Sequence, residues 1–158
     1  LYRFWMVGSL AGAEMATLAR LAPLMALGLA LGLVVARGLD VLALGADLGT
    51  GLGVRAGPVL TGALLSVTLC AGAAVALAGP LGFVGLIVPH LARSLAGRGG
   101  LAATLLCAVP LGAALVLACD TLGRVMARPS ELALGIVLAL IGGPAFMLLL
   151  HRLIGPRG

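Results

Sequence analysis

An all-α polytopic membrane protein is the fold class this sequence predicts, and three observations carry the prediction. The 158 residues are 62% hydrophobic and only 9% charged, with a mean hydropathy of +1.25. A water-soluble domain of that composition would have too little polar surface to cover its core. The charges are spaced so that the apolar runs between them are long enough to cross a bilayer. Glycine is abundant, at 25 residues, and recurs at four-residue spacing, as in Gly28 with Gly32. In lipid, small residues at that spacing let helix backbones approach closely.

The first span is expected over residues 21–36, between Arg20 and Arg37. Residues 56–92 carry no charge at all. That run exceeds the roughly 20 residues one crossing needs. Gly79-Pro80 divides it into a helix near 58–78 and a shorter one near 83–97. The fourth span falls at 99–119 and the fifth at 132–150. Five crossings place alternate loops on opposite sides. Six arginines (Arg37, Arg55, Arg93, Arg98, Arg152, Arg157) then share one side and four (Arg3, Arg20, Arg124, Arg128) the other. The bias of positive charge makes the first side cytoplasmic. The chain begins at Leu1 and opens without a leader pattern, so it is expected to be the C-terminal piece of a longer protein. With no basic cluster, one Trp and one Tyr, nucleic-acid binding is not expected. Cys70, Cys107 and Cys119 sit in apolar runs without metal-ligand spacing and read as small hydrophobes on buried helix faces.

Three stretches interrupt this pattern. The first is "RGLDVLALGADLGTGLGVR", residues 37–55, too short and too polar to span. It is expected to form one or two short helices, broken at Gly45 and around Gly49-Thr50-Gly51. Leu39, Leu42, Leu44, Leu48 and Leu52 give it apolar faces. Two uses stay open on these residues: an interfacial helix on the lipid surface, or a platform on which something docks. A phosphate loop is excluded, since no strand precedes the glycines and no GK[ST] ending follows. The second stretch is "GFVGLIVPHLAR", from Gly82 to Arg93. Pro89 frees a backbone carbonyl, and His90 and Arg93 are neighbours on one helix face. An anchor at a helix end accounts for them, and no second ligand at helical spacing makes His90 a metal site. The third is "ACDTLGRVMARPSELALG". Asp120 and Arg124 are spaced to pair on one helix face, and Ser130 suits an N-cap with Glu131 in the first turn behind it. A self-compensating charged loop explains this stretch without further function.

Taken together and in order, "LALGADLGTGLGV", "GPLGFVGLIVPHLAR", "LACDTLGR" and "SELALGIVLALIGGPAFMLLL" resemble the second half of the FecCD-type permease. That is the membrane subunit of ABC importers for ferric siderophores, haem and cobalamin. "WMVGSL" near the start fits as well, so the resemblance covers the whole chain. Two departures stand out. The chain has Arg98-Gly99-Gly100 where the family often has Asp-His-Arg, and Glu131-Leu132-Ala133-Leu134-Gly135 lacks the family's Pro.

The resemblance implies a single transmembrane permease domain over residues 1–158. Its five helices correspond to helices six to ten of a ten-helix subunit in the bacterial cytoplasmic membrane. It implies that a cytoplasmic segment at about 38–55 couples to an ATP-binding subunit, with Leu42, Leu44, Gly45, Asp47, Leu52 and Gly53 in that role. Gly82, Phe83, Gly85, Pro89, His90 and Arg93 form the family motif, structural or coupling, with Gly82 and Gly85 allowing close helix packing. Pro89-His90 is expected to bend or end the apolar run. Arg124 is implied to dock a glutamate of an extracytoplasmic substrate-binding protein. The expected function is translocation of iron–siderophore complexes, with cobalamin or haem as alternatives. The subunit is expected to work beside a second permease subunit, to have no catalytic residues, and to bind no cofactor or metal. ATP and Mg belong to the partner ATPase. An intramembrane serine protease is disfavoured because Ser9 and Ser66 lack a nucleophile's setting. A secondary carrier is disfavoured because every Asp and Glu falls near a loop or helix end.

Overall fold

The computed structural model describes residues 14–126 without interruption, together with residue 8 and residues 135–140, 142–144 and 147. Every regular element among the described residues is a helix. In chain order these are α1 (Met15–Leu42), α2 (Ala46–Gly51), α3 (Ala56–Ala78), α4 (Val84–Ala96) and α5 (Gly100–Met126). Helical backbone resumes at 135–140 and 142–144.

Three helices are long and apolar enough to cross a membrane: α1, α3 and the stretch Gly100–Val125 of α5. At about 1.5 Å per residue, the 28 residues of α1 extend roughly 42 Å and exceed a hydrocarbon core of about 30 Å. The 13 residues of α4 reach only about 20 Å, so this is the short helix the sequence led us to expect. Gly79 to Phe83 lead into it without helical structure, and Ala78 and Gly79 are buried. Irregular backbone at membrane depth needs such protein cover. Part of the fifth expected span, 132–150, lies outside the described residues, as do Ser130, Glu131 and His151.

The α1–α3 pair is antiparallel and held by glycine. A Cβ on Gly28 would stand 2.6 Å from Cys70 Sγ and 3.1 Å from the Ser66 carbonyl oxygen. One on Gly32 would meet Ser66 Oγ at 2.8 Å, and one on Gly38 would meet Val59 at 2.8 Å. Gly62 of α3 returns the arrangement, taking Val35 of α1 at 2.7 Å from its missing Cβ. The backbones are thus close enough for Ser66 Oγ to donate to the Gly28 carbonyl at 2.7 Å. Cys70 Sγ reaches the Met25 carbonyl at 3.7 Å. A second cluster joins Cys119 of α5 to Val137 and Leu138, with Leu81, Val84, Leu115 and Val116 around it. Cys119 is buried, while Cys70 and Cys107 are half-buried.

Two expectations need correction. First, α1 does not end at residue 36: it continues to Leu42, because Gly38 packs on Val59 and carries the helix pairing past Arg37. Second, α2 is unbroken through Gly49-Thr50-Gly51. Thr50 Oγ1 donates to the Asp47 carbonyl at 2.9 Å, and Gly49 is buried against Leu42. The short helix expected near 83–97 is observed as Val84–Ala96 and passes through Pro89-His90. Pro89 removes one donor, the one that would have served the Gly85 carbonyl, and the bonds on either side sustain the helix.

Candidate functional site

Antiparallel packing brings the end of α1, all of α2, the start of α3 and the α4–α5 turn to one end of the molecule. Arg37, Arg55, Arg93 and Arg98 are all exposed there. These are four of the six arginines that loop alternation assigned to one side; Arg152 and Arg157 lie outside the described residues.

The connector between α1 and α3 is built around two glycines. Gly45 separates α1 from α2 at φ 127° and ψ 142°, a backbone that a residue with a Cβ takes up only under strain. Gly49 lets α2 fold back: a Cβ there would stand 2.8 Å from Leu42 Cδ2. Leu42 is accordingly half-buried beneath α2. Asp47 lies in the first turn of α2, where a carboxylate meets the positive end of the helix dipole. Leu44, Leu48 and Leu52 recur every four residues and are 67%, 61% and 68% exposed. The leucines of the connector thus form an apolar strip facing out. Gly53, at φ 81°, donates its N–H to the Thr50 carbonyl at 3.0 Å and closes the turn into α3.

On α4, Val88 and Ala92 are buried, His90 is half-buried, and Arg93 is exposed in the last turn. An added Cβ on Gly82 or Gly85 meets nothing within 4 Å among the described residues. Further along α4, Val88 Cγ1 would stand 3.8 Å from a Cβ on Gly112 of α5. Phe83 caps α4 from the left-handed region, at φ 64°. A Cβ on Gly142 would be 2.6 Å from the Phe83 Cβ, so this glycine makes room for the phenylalanine. Nothing in the sequence signalled that pairing.

Asp40 was also missed. Its carboxylate accepts the Leu101 N–H at 3.1 Å through Oδ1 and 3.0 Å through Oδ2. The last turn of α1 and the first turn of α5 thereby meet through a residue absent from the expected set.

At the opposite end of α5, Arg124 Nε donates to Asp120 Oδ2 at 2.7 Å, as the spacing predicted. The Arg124 side chain is 59% exposed. Among the described residues, no group of three His, Cys, Asp or Glu side chains is placed to hold a metal ion.

The sequence profile of the FecCD transport family matches residues 2–152. The chain is 42% identical over 154 residues to the ferric enterobactin transport system permease protein FepD of Escherichia coli, covering 95% of this chain and 44% of that one. It is 37% identical over 149 residues to the Fe(3+)-citrate import system permease protein YfmD of Bacillus subtilis, covering 94% and 44%. It is 39% identical over 152 residues to the hemin transport system permease protein HmuU of Yersinia pestis, covering 96% and 45%. A solved ABC transporter of metal-chelate type, in an inward-facing conformation, superposes with a TM-score of 0.83 at 30% identity, covering 95% of this chain and 48% of that one. The chain thus spans a little under half the length of these curated relatives. A match over residues 2–152, at these identities and with this fold, means that the chain belongs to the FecCD transport family.

Proposed function

We propose that the chain is part of the membrane-crossing permease of a binding-protein-dependent ABC importer for iron–siderophore complexes in the bacterial cytoplasmic membrane. Residues 1–158 form one permease domain, and residues 38–55 are its cytoplasmic coupling segment. Leu42, Leu44, Gly45, Asp47, Leu52 and Gly53 build the surface on which an ATP-binding subunit docks. That subunit binds ATP and Mg and performs the hydrolysis, and the permease has no catalytic residue or cofactor of its own. Gly82, Phe83, Gly85, Pro89, His90 and Arg93 set the position of α4 beside that surface, and Arg124 docks the substrate-binding protein on the far side. A second permease subunit completes the pathway.

The exposed strip of Leu44, Leu48 and Leu52 carries this reading. Three large apolar side chains on a polar connector at the arginine-rich end are the mark of an interaction surface. The iron chelates in the names of FepD and YfmD support the substrate class. HmuU, named for hemin, supports haem as the second reading.

Replacing Leu44 and Leu52 together by Asp in the full-length permease tests the docking surface. Each buried, unpaired charge should cost a few kcal/mol at the contact. The ATPase should then fail to co-purify while the permease still inserts in the membrane. Undiminished co-purification with normal transport would sink the idea.

A further inference from the structure

Asp40 occupies an awkward position on its own helix. It lies in the last turn of α1 (Met15–Leu42), where the carbonyl ends of the helix disfavour a carboxylate. Its setting makes sense only across the bundle. Both carboxylate oxygens accept the Leu101 N–H, at 3.1 and 3.0 Å, at the amino end of α5, where negative charge is favoured. The opposite partner is shaped to receive it. Gly100, at φ 70°, begins α5, and a Cβ there would stand 2.6 Å from Asp40 Oδ2. Thr104 Oγ1 donates to the Gly100 carbonyl at 2.9 Å and holds that first turn in place.

We propose that Asp40 is a strap that passes displacement of α2 to α5. The inference rests on the reading of α2 as the ATPase-docking segment and adds where its motion goes. The last turn of α1 leads through Ala43–Gly45 into α2, so a push on α2 acts first on the residues beside Asp40. From there α5 runs the full width of the molecule to Arg124 in its last turn. Asp40 touches neither substrate nor nucleotide; it is a positioning residue that makes the connector and α5 move together.

The test uses the full-length permease with its cognate ATPase, comparing wild type with Asp40→Ala, Asp40→Asn and Gly100→Ala. Amide hydrogen exchange at residues 101–104 is followed with and without bound ATPase. Docking should change that exchange at least about fivefold in wild type, the low end of coupling between linked sites. Asp40→Asn should keep the change, because its amide oxygen caps a helix about as well. Asp40→Ala and Gly100→Ala, which remove or evict the acceptor, should abolish it while still binding ATPase. An ATPase-induced change that survives in Asp40→Ala overturns the strap alone, as does a wild type that binds ATPase with no change at 101–104. If Asp40→Ala fails to assemble, Gly100→Ala decides by the same criterion. Failure of the wild-type permease to bind the ATPase overturns the docking reading and takes the strap with it.

Discussion

Arg124 stands at the end of α5 with Asp120 one turn behind it, joined at 2.7 Å and 59% exposed. An ion pair this open is worth well under about 1 kcal/mol, so stability does not explain it. If the pair served only itself, Arg124→Glu would leave transport almost unchanged. As a docking residue, the same change sets two acids face to face, and like charges at an interface can cost several kcal/mol. Affinity of the substrate-binding protein for the reconstituted transporter should fall strongly at low salt, and partly recover when the facing glutamate is changed to Arg. Equal affinity for wild type and Arg124→Glu at low and moderate salt would remove Arg124 from the docking surface. The Asp120–Arg124 pair was legible in the sequence because its members are four residues apart on one helix. Asp40 was not, because its partner Leu101 lies 61 residues away, and no local pattern encodes which helix end will arrive beside an acid.

Among the elements, α1 and α3 show the most direct translation of sequence into packing. Gly28 and Gly32 were readable as a close-packing face, and they take Ser66, Leu69 and Cys70 against bare backbone. Gly28→Val would drive two methyl groups into Cys70 Sγ and the Ser66 carbonyl, and overpacking of this kind costs about 1–3 kcal/mol. Ser66→Ala removes one interhelical hydrogen bond, worth on average about 0.6 kcal/mol within a membrane. Thermal unfolding in detergent should therefore rank Gly28→Val well below Ser66→Ala, and the reverse order would mean that the hydrogen bond, not the close approach, holds the pair. Element ends were harder to read. Residues 37–42 look like loop because Arg37, Gly38 and Asp40 break the apolar run, yet packing on Val59 keeps them helical. Gly49-Thr50-Gly51 looks like a breaker, yet contact with Leu42 keeps α2 continuous. In both places tertiary contact overrode local propensity.

Across the whole molecule, the two ends differ in charge and finish. One gathers Arg37, Arg55, Arg93 and Arg98 with the leucine strip of α2; the other has Arg20, the Gly79–Phe83 lead-in to α4 and the Asp120–Arg124 pair. Positive charge favours the cytoplasmic side, so the α2 end should face inward. In a full-length permease stripped of Cys70, Cys107 and Cys119, single cysteines at Asp47 and Thr121 would be probed with an impermeant thiol reagent. Position 121 should label in intact cells, and position 47 only after the membrane is opened; the opposite pattern would invert the topology. The all-helical class and this alternation of ends were legible from composition and charge spacing alone. The short reach of α4 followed from the Gly79-Pro80 break. Its dependence on residues near the chain's far end did not, since that rests on contact between Phe83 and Gly142.

That contact also sets an order in time. Phe83 holds a left-handed backbone, which costs an L-residue about 1–2 kcal/mol when nothing opposes it. What fits around it is Gly142, which leaves the ribosome only after α4 and α5 have been made. The glycine contacts between α1 and α3 involve residues 28–70 alone and are complete before α4 is made. The start of α4 must therefore wait for Gly142, so the backbone that leads into the motif which the family resemblance marks out is completed late in synthesis.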